Sequence, residues 1–431
     1  EEKWSALAFE NWFYASLGDS DLGKLKKDKL ADLKQMPIIR EAILALPGET
    51  AEKHMGMFAN SLFTRLSSVN PGVKFRYLRA GFEIVKDHKR AEEARIVLDY
   101  YKDLVTEMKL ETVIDGNDKV GHEEPFGVFI NLHHTSAIER ESGGFAKYLQ
   151  NQNNQYYSYN YGRPTENYRD KFEESLTQAL SEQFEVRSVT FQREDVNSRA
   201  TSQEGWRLTP YAYVLLKARG PESARIPSWH LDLDFLDTSG YAVIPVESAE
   251  VPIDAVESKG DARPIEKISL TQTLDERQSK DGKLILEIKG TGQGLVPALD
   301  DLLDLNPKEF DVVDIQDEGV AVSQFDKEAE DNVVVSERNW IVTLHAKDGL
   351  KEHPKSFEFA KPKLETDESI YQRYVDADLA SVESQISLEQ QYGEPSNAFI
   401  WWIVGGLVVG LAILVCFILM PKPEVKLDRV K

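Results

Sequence analysis

Three short clusters of histidine and carboxylate side chains are the residues of this chain whose types could do chemistry. They are His-Glu-Glu at 122–124, His-His at 133–134, and His230 with Asp232 and Asp234. Imidazole nitrogens and carboxylate oxygens bind divalent metals, and residues two apart on a strand point to the same face. The third cluster could therefore present one nitrogen and two carboxylates to a metal ion.

The same alternation supports a structural interpretation of this third cluster. The opposite face of such a strand would carry apolar side chains facing a core, and the polar face would be solvated; the apolar residues are Leu231, Leu233 and Phe235. His133 and His134 are neighbours that would point to opposite sides of a strand, so they cannot both bind one ion. We expect no metal site, and keep an envelope metal-dependent enzyme or sensor centred on residues 122–234 as the alternative.

No sequence motif of a known catalytic mechanism accompanies these clusters. The chain contains no HExxH, GxSxG or Walker sequence. The glycine-rich stretch 290–294 joins predicted strands and has no helix N-terminus to receive a phosphate, so it indicates a hairpin. We predict a protein that is not an enzyme, with no catalytic residues, cofactor or metal.

A segment rich in tyrosine and asparagine, residues 143–168, is the best candidate for binding. Tyrosine provides rigid amphipathic contact area and asparagine provides adaptable hydrogen bonds, a combination used by binding loops. Loops of this length are usually functional or disordered. Three interpretations stay open: contact with a partner, packing on its own domain, and disorder. The first would use Tyr148, Tyr156, Tyr157, Tyr159 and Tyr161.

Four regions with different periodicity precede a long apolar run. Residues 1–110 have apolar residues at helical spacing, which predicts a helical bundle or, as an alternative, a tetratricopeptide-like array. Residues 111–258 predict an α+β domain that includes a helix at 168–184. Residues 262–361 predict seven short alternating strands, the pattern of an immunoglobulin-like sandwich. Residues 362–397 predict a stalk with a helix leading to the membrane.

The apolar run at 398–420 predicts a single transmembrane helix. At about 1.5 Å per residue it is long enough to cross a hydrocarbon core of about 30 Å. Trp401 and Trp402 lie near its start, where the membrane interface favours aromatic side chains. Acidic residues dominate before the run and four bases follow it, so the positive-inside rule places the tail, 421–431, in the cytoplasm. Everything before the run is expected outside.

Two glycines in this run predict association within the membrane. Gly406 and Gly410 lie one turn apart on the same helix face. Small residues let helix backbones approach closely in lipid, where apolar burial drives little pairing. We expect a homodimer through this helix, or pairing with another single-pass helix. The alternative is a chance match, because glycine is common in transmembrane helices.

Composition limits the compartment and the partners. The net charge of −22 disfavours nucleic-acid binding. Cys416, inside the apolar run, is the only cysteine, so the preceding region can form no disulfide. No Asn-x-Ser/Thr acceptor occurs. These features fit the periplasmic side of a bacterial cell envelope, and export implies that a signal peptide was removed or that the sequence is truncated.

Two stretches in the last third resemble the BatD-type family of oxygen-tolerance proteins. A threonine-containing strand at 268–274 leads into Leu-Ile-Leu-Glu-Ile-Lys-Gly-Thr-Gly at 284–292, followed by the loop Val-Pro-Ala-Leu at 296–299. The resemblance covers residues 265–431 and includes the single transmembrane helix and short tail. It implies a membrane-anchored, non-enzymatic component beside von Willebrand A-type proteins and a MoxR-type ATPase. It assigns no functional residue.

The sequence therefore predicts a multidomain α + β protein. Its parts are an N-terminal helical bundle, a central α+β domain, an Ig-like β-sandwich and a single C-terminal transmembrane helix. The predicted function is that of a single-pass, membrane-anchored extracytoplasmic scaffold or assembly protein that binds other proteins of a membrane complex.

Overall fold

The structure, a computed structural model, describes most of the chain before the predicted membrane span. The described residues are 2–17, 34–141, 167–192, 198–237, 239–277, 283–326, 332–348, 350, 353–375 and 378–389. The chain divides into two compact units. The first comprises Glu1–Glu266, Gln293–Leu295 and Ala321–Ser336, and the second comprises Lys267–Gly292, Val296–Val320 and Glu337–Lys431.

Helices form the N-terminal part of the first unit, as the sequence predicts. Among the described residues these are α1 (Glu2–Ser16), α2 (Gln35–Leu44), α3 (Glu49–Thr64), α4 (Pro71–Val85) and α5 (Glu92–Thr106), with 3-10 turns at Leu66–Ser68 and Lys89–Ala91. Helix α4 begins where a cap is expected. Pro71 occupies the first turn, and Asn70 Oδ1 accepts a 2.9 Å hydrogen bond from the Gly72 amide.

An antiparallel sheet follows the helices. It is built from β1 (Met108–Ile114), β2 (Phe126–Thr135), β3 (Phe184–Phe191), β4 (Arg199–Ala200) and β5 (Trp206–Ala218). The order is β1-β2-β5-β3, and β4 also pairs with β5. The central strands β2 and β5 are buried over most of their length, which explains their nearly continuous apolar sequence. Sequence periodicity had extended the last helix to residue 110, but β1 already begins at Met108 and pairs with β2.

Among the described residues, the first unit also contains two further helices and two strand pairs. The helices are α6 (Ser136–Glu141) and α7 (Tyr168–Leu180); the strand pairs are β6 (Arg225–Ile226) with β9 (Val251–Pro252), and β7 (His230–Asp237) with β8 (Gly240–Glu247). Buried side chains from the helices and from the sheet belong to one continuous hydrophobic cluster, which extends from Phe13 to Ala255. This core holds the helices and one face of the sheet, whereas Phe129 and Tyr213 are buried outside it, with their ring centroids 4.8 Å apart.

The second sheet has six strands. They are β10 (Glu266–Asp275), β11 (Lys283–Gln293), β13 (Phe310–Phe325), β14 (Val334–Ala346), β17 (Glu368–Val375) and β18 (Asp378–Ser381), in the order β13-β14-β11-β10-β17-β18. Strands β10 and β17 are parallel. A short helix α8 (Leu299–Leu302) and two small antiparallel pairs accompany it: β12 (Leu303–Asp304) with β16 (Lys361–Pro362), and β15 (Ser356–Glu358) with β19 (Gln385–Ser387).

The structure corrects three details predicted for residues 262–397. Two of the seven short strands expected there are joined in β13, which continues through Gly319 because glycine can adopt its φ of 81°. Two others are joined in β14. The helix expected in the stalk is wrong: β17, β18 and β19 lie there. Its β-branched and aromatic residues favour strands once β10 offers a pairing edge.

The mixed α+β class is confirmed, with helices first and β-rich sheets after them. Among the described residues, no helix is long and apolar enough to cross a membrane. The predicted span at 398–420, with Trp401, Trp402, Gly406 and Gly410, lies outside the described residues. The same holds for the five tyrosines of the proposed binding segment, namely Tyr148, Tyr156, Tyr157, Tyr159 and Tyr161.

Candidate functional site

The histidines singled out in the sequence each have their own local partner. His122 Nδ1 lies 2.9 Å from the Ala255 carbonyl oxygen, and His133 Nε2 lies 2.7 Å from Glu111 Oε2. Within the described part of the chain, no group of three or more His, Cys, Asp or Glu side chains is placed to hold a metal ion.

Two of the three polar side chains of β7 are buried, which corrects the expectation for Asp232 and Asp234, while the side chain of His230 stays 36% exposed. Asp232 and Asp234 are both buried, as are Leu231 and Leu233. The reason is packing from two helices, since α4 lies against β8 and α7 lies against β7. Lys74 of α4 is only 1% exposed, and its Nζ lies 3.5 Å from the Tyr241 carbonyl oxygen. The hairpin of β7 and β8 therefore contains two buried carboxylates and contacts one buried lysine.

A chain of hydrogen bonds surrounds His134 at the end of the first sheet. His134 Nε2 lies 2.9 Å from Thr209 Oγ1, which lies 2.8 Å from Ser198 Oγ. Ser198 in turn donates to Glu139 Oε1 at 2.7 Å. Burial lowers the pKa of His134, so the imidazole is neutral at pH 7. The Ser198 hydroxyl is bonded to a carboxylate and a threonine, and the hydroxyl that contacts the imidazole is that of Thr209, which is buried.

A second polar network lies where β1 ends, and the sequence analysis missed it. Tyr213 of β5 donates a 2.9 Å hydrogen bond to Asp115 Oδ2. Gly127 of β2 makes this possible, because a Cβ there would lie 1.6 Å from the tyrosine oxygen. Arg263 places Nη1 3.8 Å from Asp115 Oδ1. Burial raises the pKa of Asp115, while the tyrosine hydrogen bond and the arginine charge act in the opposite direction.

Asp115 and Arg263 of this network line an open cleft of about 470 Å³. Its lining includes Asn117, Asn131, Asp261 and Asn332 as polar groups. The volume falls in the range of about 300–1,000 Å³ that small-molecule sites occupy. Only the Asp-Gly-Asn turn at 115–117 hints at the site in the sequence. Arg263 and Asn332 reach it from distant parts of the chain, which no local pattern could reveal.

The edge strand β13 is the second candidate functional site. It is a candidate for protein binding rather than for catalysis. It stands at the end of the six-stranded order, and β14 is its one neighbouring strand within the described chain. Most of its side chains are exposed, including Val313 at 58% and Ile315 at 41%. The strand carries four acidic residues and no base: Asp311, Asp314, Asp317 and Glu318.

Contacts with β14 establish which face Val313 and Ile315 occupy. Asp317 accepts a 3.0 Å hydrogen bond from Arg338 Nε, and the Arg338 guanidinium lies 5.5 Å from the ring of the buried Trp340. Odd-numbered residues of β13 therefore share the face of Trp340. Val313 and Ile315 occupy positions that face the core in β14, yet they stay exposed on the edge strand.

No protein-family model matches this chain, and no curated protein matches it either.

Proposed function

We propose that this protein is a single-pass, membrane-anchored scaffold whose extracytoplasmic part binds other proteins of a membrane complex. The exposed acidic edge of β13 carries this proposal. An edge strand presents unpaired backbone N–H and C=O groups, and extended segments of partner proteins bind such edges by adding a strand. The stretch 310–320 combines this edge with two exposed apolar side chains.

Charge defines the kind of partner segment that fits. With Asp311, Asp314 and Glu318 along one strand and no lysine or arginine, a second copy of β13 would place like charges opposite each other. An extended segment that alternates lysine or arginine with apolar residues would instead complement both the acids and the pair Val313 and Ile315. The acids also protect the edge from self-association until such a partner arrives.

Two features support the immunoglobulin-like part of the fold expectation, which we retain as a proposal for the second unit. Its six-stranded sheet buries alternate residues of β10 and β11, the pattern of a sheet with one covered face. The pairs β12–β16 and β15–β19 supply additional strands outside that sheet.

The membrane part of the proposal rests on the sequence. The apolar run at 398–420 and the bases that follow it support an anchor in a bacterial cell membrane, with the large N-terminal part in the periplasm. The BatD-type resemblance makes von Willebrand A-type proteins and a MoxR-type ATPase the first partners to test. Gly406 and Gly410 support a homodimer as a further assembly.

The topology has a direct test. Protease added to intact spheroplasts should digest the large N-terminal part and leave a tag placed after Lys431 protected. Cleavage of that tag from outside would refute the proposed orientation.

The binding role is tested by affinity capture of the tagged full chain from solubilised membranes of the source organism. Asp311→Lys with Asp314→Lys should abolish capture of a partner that the unchanged chain retains, because the reversed charges repel a basic segment. The matched control is Asp378→Lys with Glu383→Lys, which makes the same charge change at exposed positions in and after β18, the strand at the opposite end of the sheet. Equal loss in both double variants would show a general charge effect and would contradict binding at β13.

A further inference from the structure

The cleft beside β1 has a rigid wall. Gly116 adopts φ 123° and forms a β-bridge with Ala262, and a Cβ at Gly116 would lie 3.0 Å from the Arg263 amide nitrogen. The bridge holds the backbone of Ala262, the residue before Arg263, against Gly116. Behind it, Asp115 is 4% exposed in its side chain and is held by Tyr213. The arginine is therefore positioned before any ligand binds.

The polar side chains that line the cleft offer both hydrogen-bond donors and hydrogen-bond acceptors to a ligand. Arg263 uses Nη1 for its contacts with Asp115 and with the Asn332 carbonyl oxygen at 3.5 Å. Within the described chain its Nε and Nη2 have no hydrogen-bond partner. Asn332 Nδ2 donates to Asn131 Oδ1 at 3.1 Å, which leaves the Asn332 oxygen as an acceptor and the Asn131 nitrogen as a donor.

The charges of the residues that line the cleft limit the class of ligand that it can bind. Asp115 and Asp261 line the cleft with Arg263, so two carboxylates stand against one guanidinium in a strongly acidic chain. An anionic ligand would meet net repulsion, and a cationic ligand would compete with Arg263 for Asp115. A neutral ligand rich in hydroxyl groups suits the site, since each hydroxyl both donates and accepts and can use a carboxylate, an amide and a guanidinium together.

Apolar groups complete the lining on the open side. Val113 is 41% exposed and Pro264 is also exposed, and both line the cleft. The C–H faces of a sugar ring can pack on such side chains while its hydroxyls turn toward the polar wall. The volume of about 470 Å³ is large enough for a small-molecule ligand.

We propose that this cleft is a binding site for a neutral saccharide. Arg263 donates Nε and Nη2 to ring or hydroxyl oxygens, and the amides of Asn131 and Asn332 bridge neighbouring hydroxyls. Asp115 and Tyr213 act as positioning residues that hold the guanidinium. The site is independent of β13 and of the protein-binding role.

The test uses the purified full chain in detergent on a glycan array that covers neutral, amino and uronic saccharides. The strongest array ligand is then titrated by ligand-observed NMR. We expect neutral saccharides to bind and uronic saccharides to bind more weakly. Arg263→Lys keeps the charge but loses the planar fork, and Asn332→Ala removes the amide; each should raise Kd about tenfold, the effect of one to two lost hydrogen bonds.

Matched controls separate recognition from folding. Arg225→Lys makes the same substitution in the first unit at an exposed arginine that pairs with Glu250 outside the cleft, and it should leave Kd unchanged. Thermal unfolding of each variant verifies that the fold is intact. Absence of binding across the array would overturn the proposal, as would saccharide binding that Arg263→Lys and Asn332→Ala leave unchanged. An acetylated tripeptide amide that binds where saccharides do not would assign the cleft to peptides instead.

Discussion

The hydroxyl of Tyr213 donates to Oδ2 of Asp115 at 2.9 Å, and both side chains are buried. A buried carboxylate that loses a donor retains its desolvation cost without compensation, so the pair links the stability of the first unit to the geometry of its cleft.

Tyr213→Phe should lower the free energy of unfolding by about 1–3 kcal/mol at pH 7. Burial raises the pKa of Asp115 above its ordinary value, and the tyrosine hydrogen bond counteracts that rise. A raised folded pKa gives stability that is present below the unfolded pKa and lost as pH rises through the folded pKa. The loss with rising pH should therefore be larger in Tyr213→Phe.

Urea titrations of the full chain in detergent at pH 4 and pH 7 measure this difference. Asp115→Asn is the control, because it removes the titrating group and with it the dependence on Tyr213. A Tyr213→Phe cost that is the same at both pH values would contradict the linkage.

Gly127→Ala should destabilise the protein by about 1–3 kcal/mol or more, the cost of overpacking a filled site. The new Cβ would lie 1.6 Å from the Tyr213 oxygen and 2.2 Å from its Cζ, so the ring must move. The measurement is the thermal midpoint of the purified chain.

Gly56→Ala is the matched control for that substitution. Gly56 lies inside α3, and its Cβ would meet only His88 at 3.4 Å, an ordinary contact. Replacing a helical glycine by alanine is expected to stabilise by up to about 1 kcal/mol. Equal effects of the two substitutions would show that the tyrosine contact does not matter.

Asp275→Asn should destabilise the second unit only above acidic pH. Arg277 donates Nε and Nη2 to the two carboxylate oxygens at 2.8 Å and 2.7 Å, which holds the pKa of Asp275 below its ordinary value. A lowered folded pKa gives stability that is present above the unfolded pKa, about 3.9, and lost as pH falls through the folded pKa. The effect is small because Arg277 is half exposed and solvent screens the pair.

Urea midpoints of the unchanged chain and of Asp275→Asn should therefore differ at pH 6 and converge near pH 2.5. Asp311→Asn is the control, since it removes an exposed acid of β13 and should shift neither midpoint. A difference between Asp275→Asn and the unchanged chain that persists at pH 2.5 would rule out this origin.

Gly406→Ile and Gly410→Ile should each weaken association of the predicted span in a membrane reporter assay. Isoleucine at either position prevents the close backbone approach that small residues allow. Gly405→Ile tests a neighbouring glycine and should have a smaller effect. An unchanged signal with both substitutions together would remove the span as an assembly element.

Local sequence pattern predicted the regular elements of the first unit. Helices α2 to α5 follow their apolar spacing, β2, β5 and β8 follow runs rich in β-branched and aromatic residues, and β7 follows an alternation of apolar and polar residues. The predictions were wrong where tertiary contacts override local pattern. The segment 368–387 forms strands because β10 offers an edge to β17, β17 then pairs with β18, and β15 pairs with β19. Asp232 and Asp234 are buried because α4 and α7 cover their hairpin.

The candidate cleft was beyond prediction for a different reason. Asp115, Tyr213 and Arg263 come from separate parts of the chain, and each alone is an ordinary residue in an acidic sequence. Only the fold brings them together. The β13 edge could be seen as an alternating strand with acids, but its position at the end of a sheet depends on the strand order.

The parallel pairing of β10 with β17 has a consequence for how the second unit folds. Ser269 stands beside Glu368, 99 residues later in the chain. Closing a loop of that length costs conformational entropy before the stabilising strand contacts form. Topologies with such distant partners therefore fold slowly. Until β17 has been synthesised, β10 has no neighbour on that side. A chaperone that binds unpaired strands would find its substrate in this interval, and a chain cut before residue 368 would keep that edge open permanently.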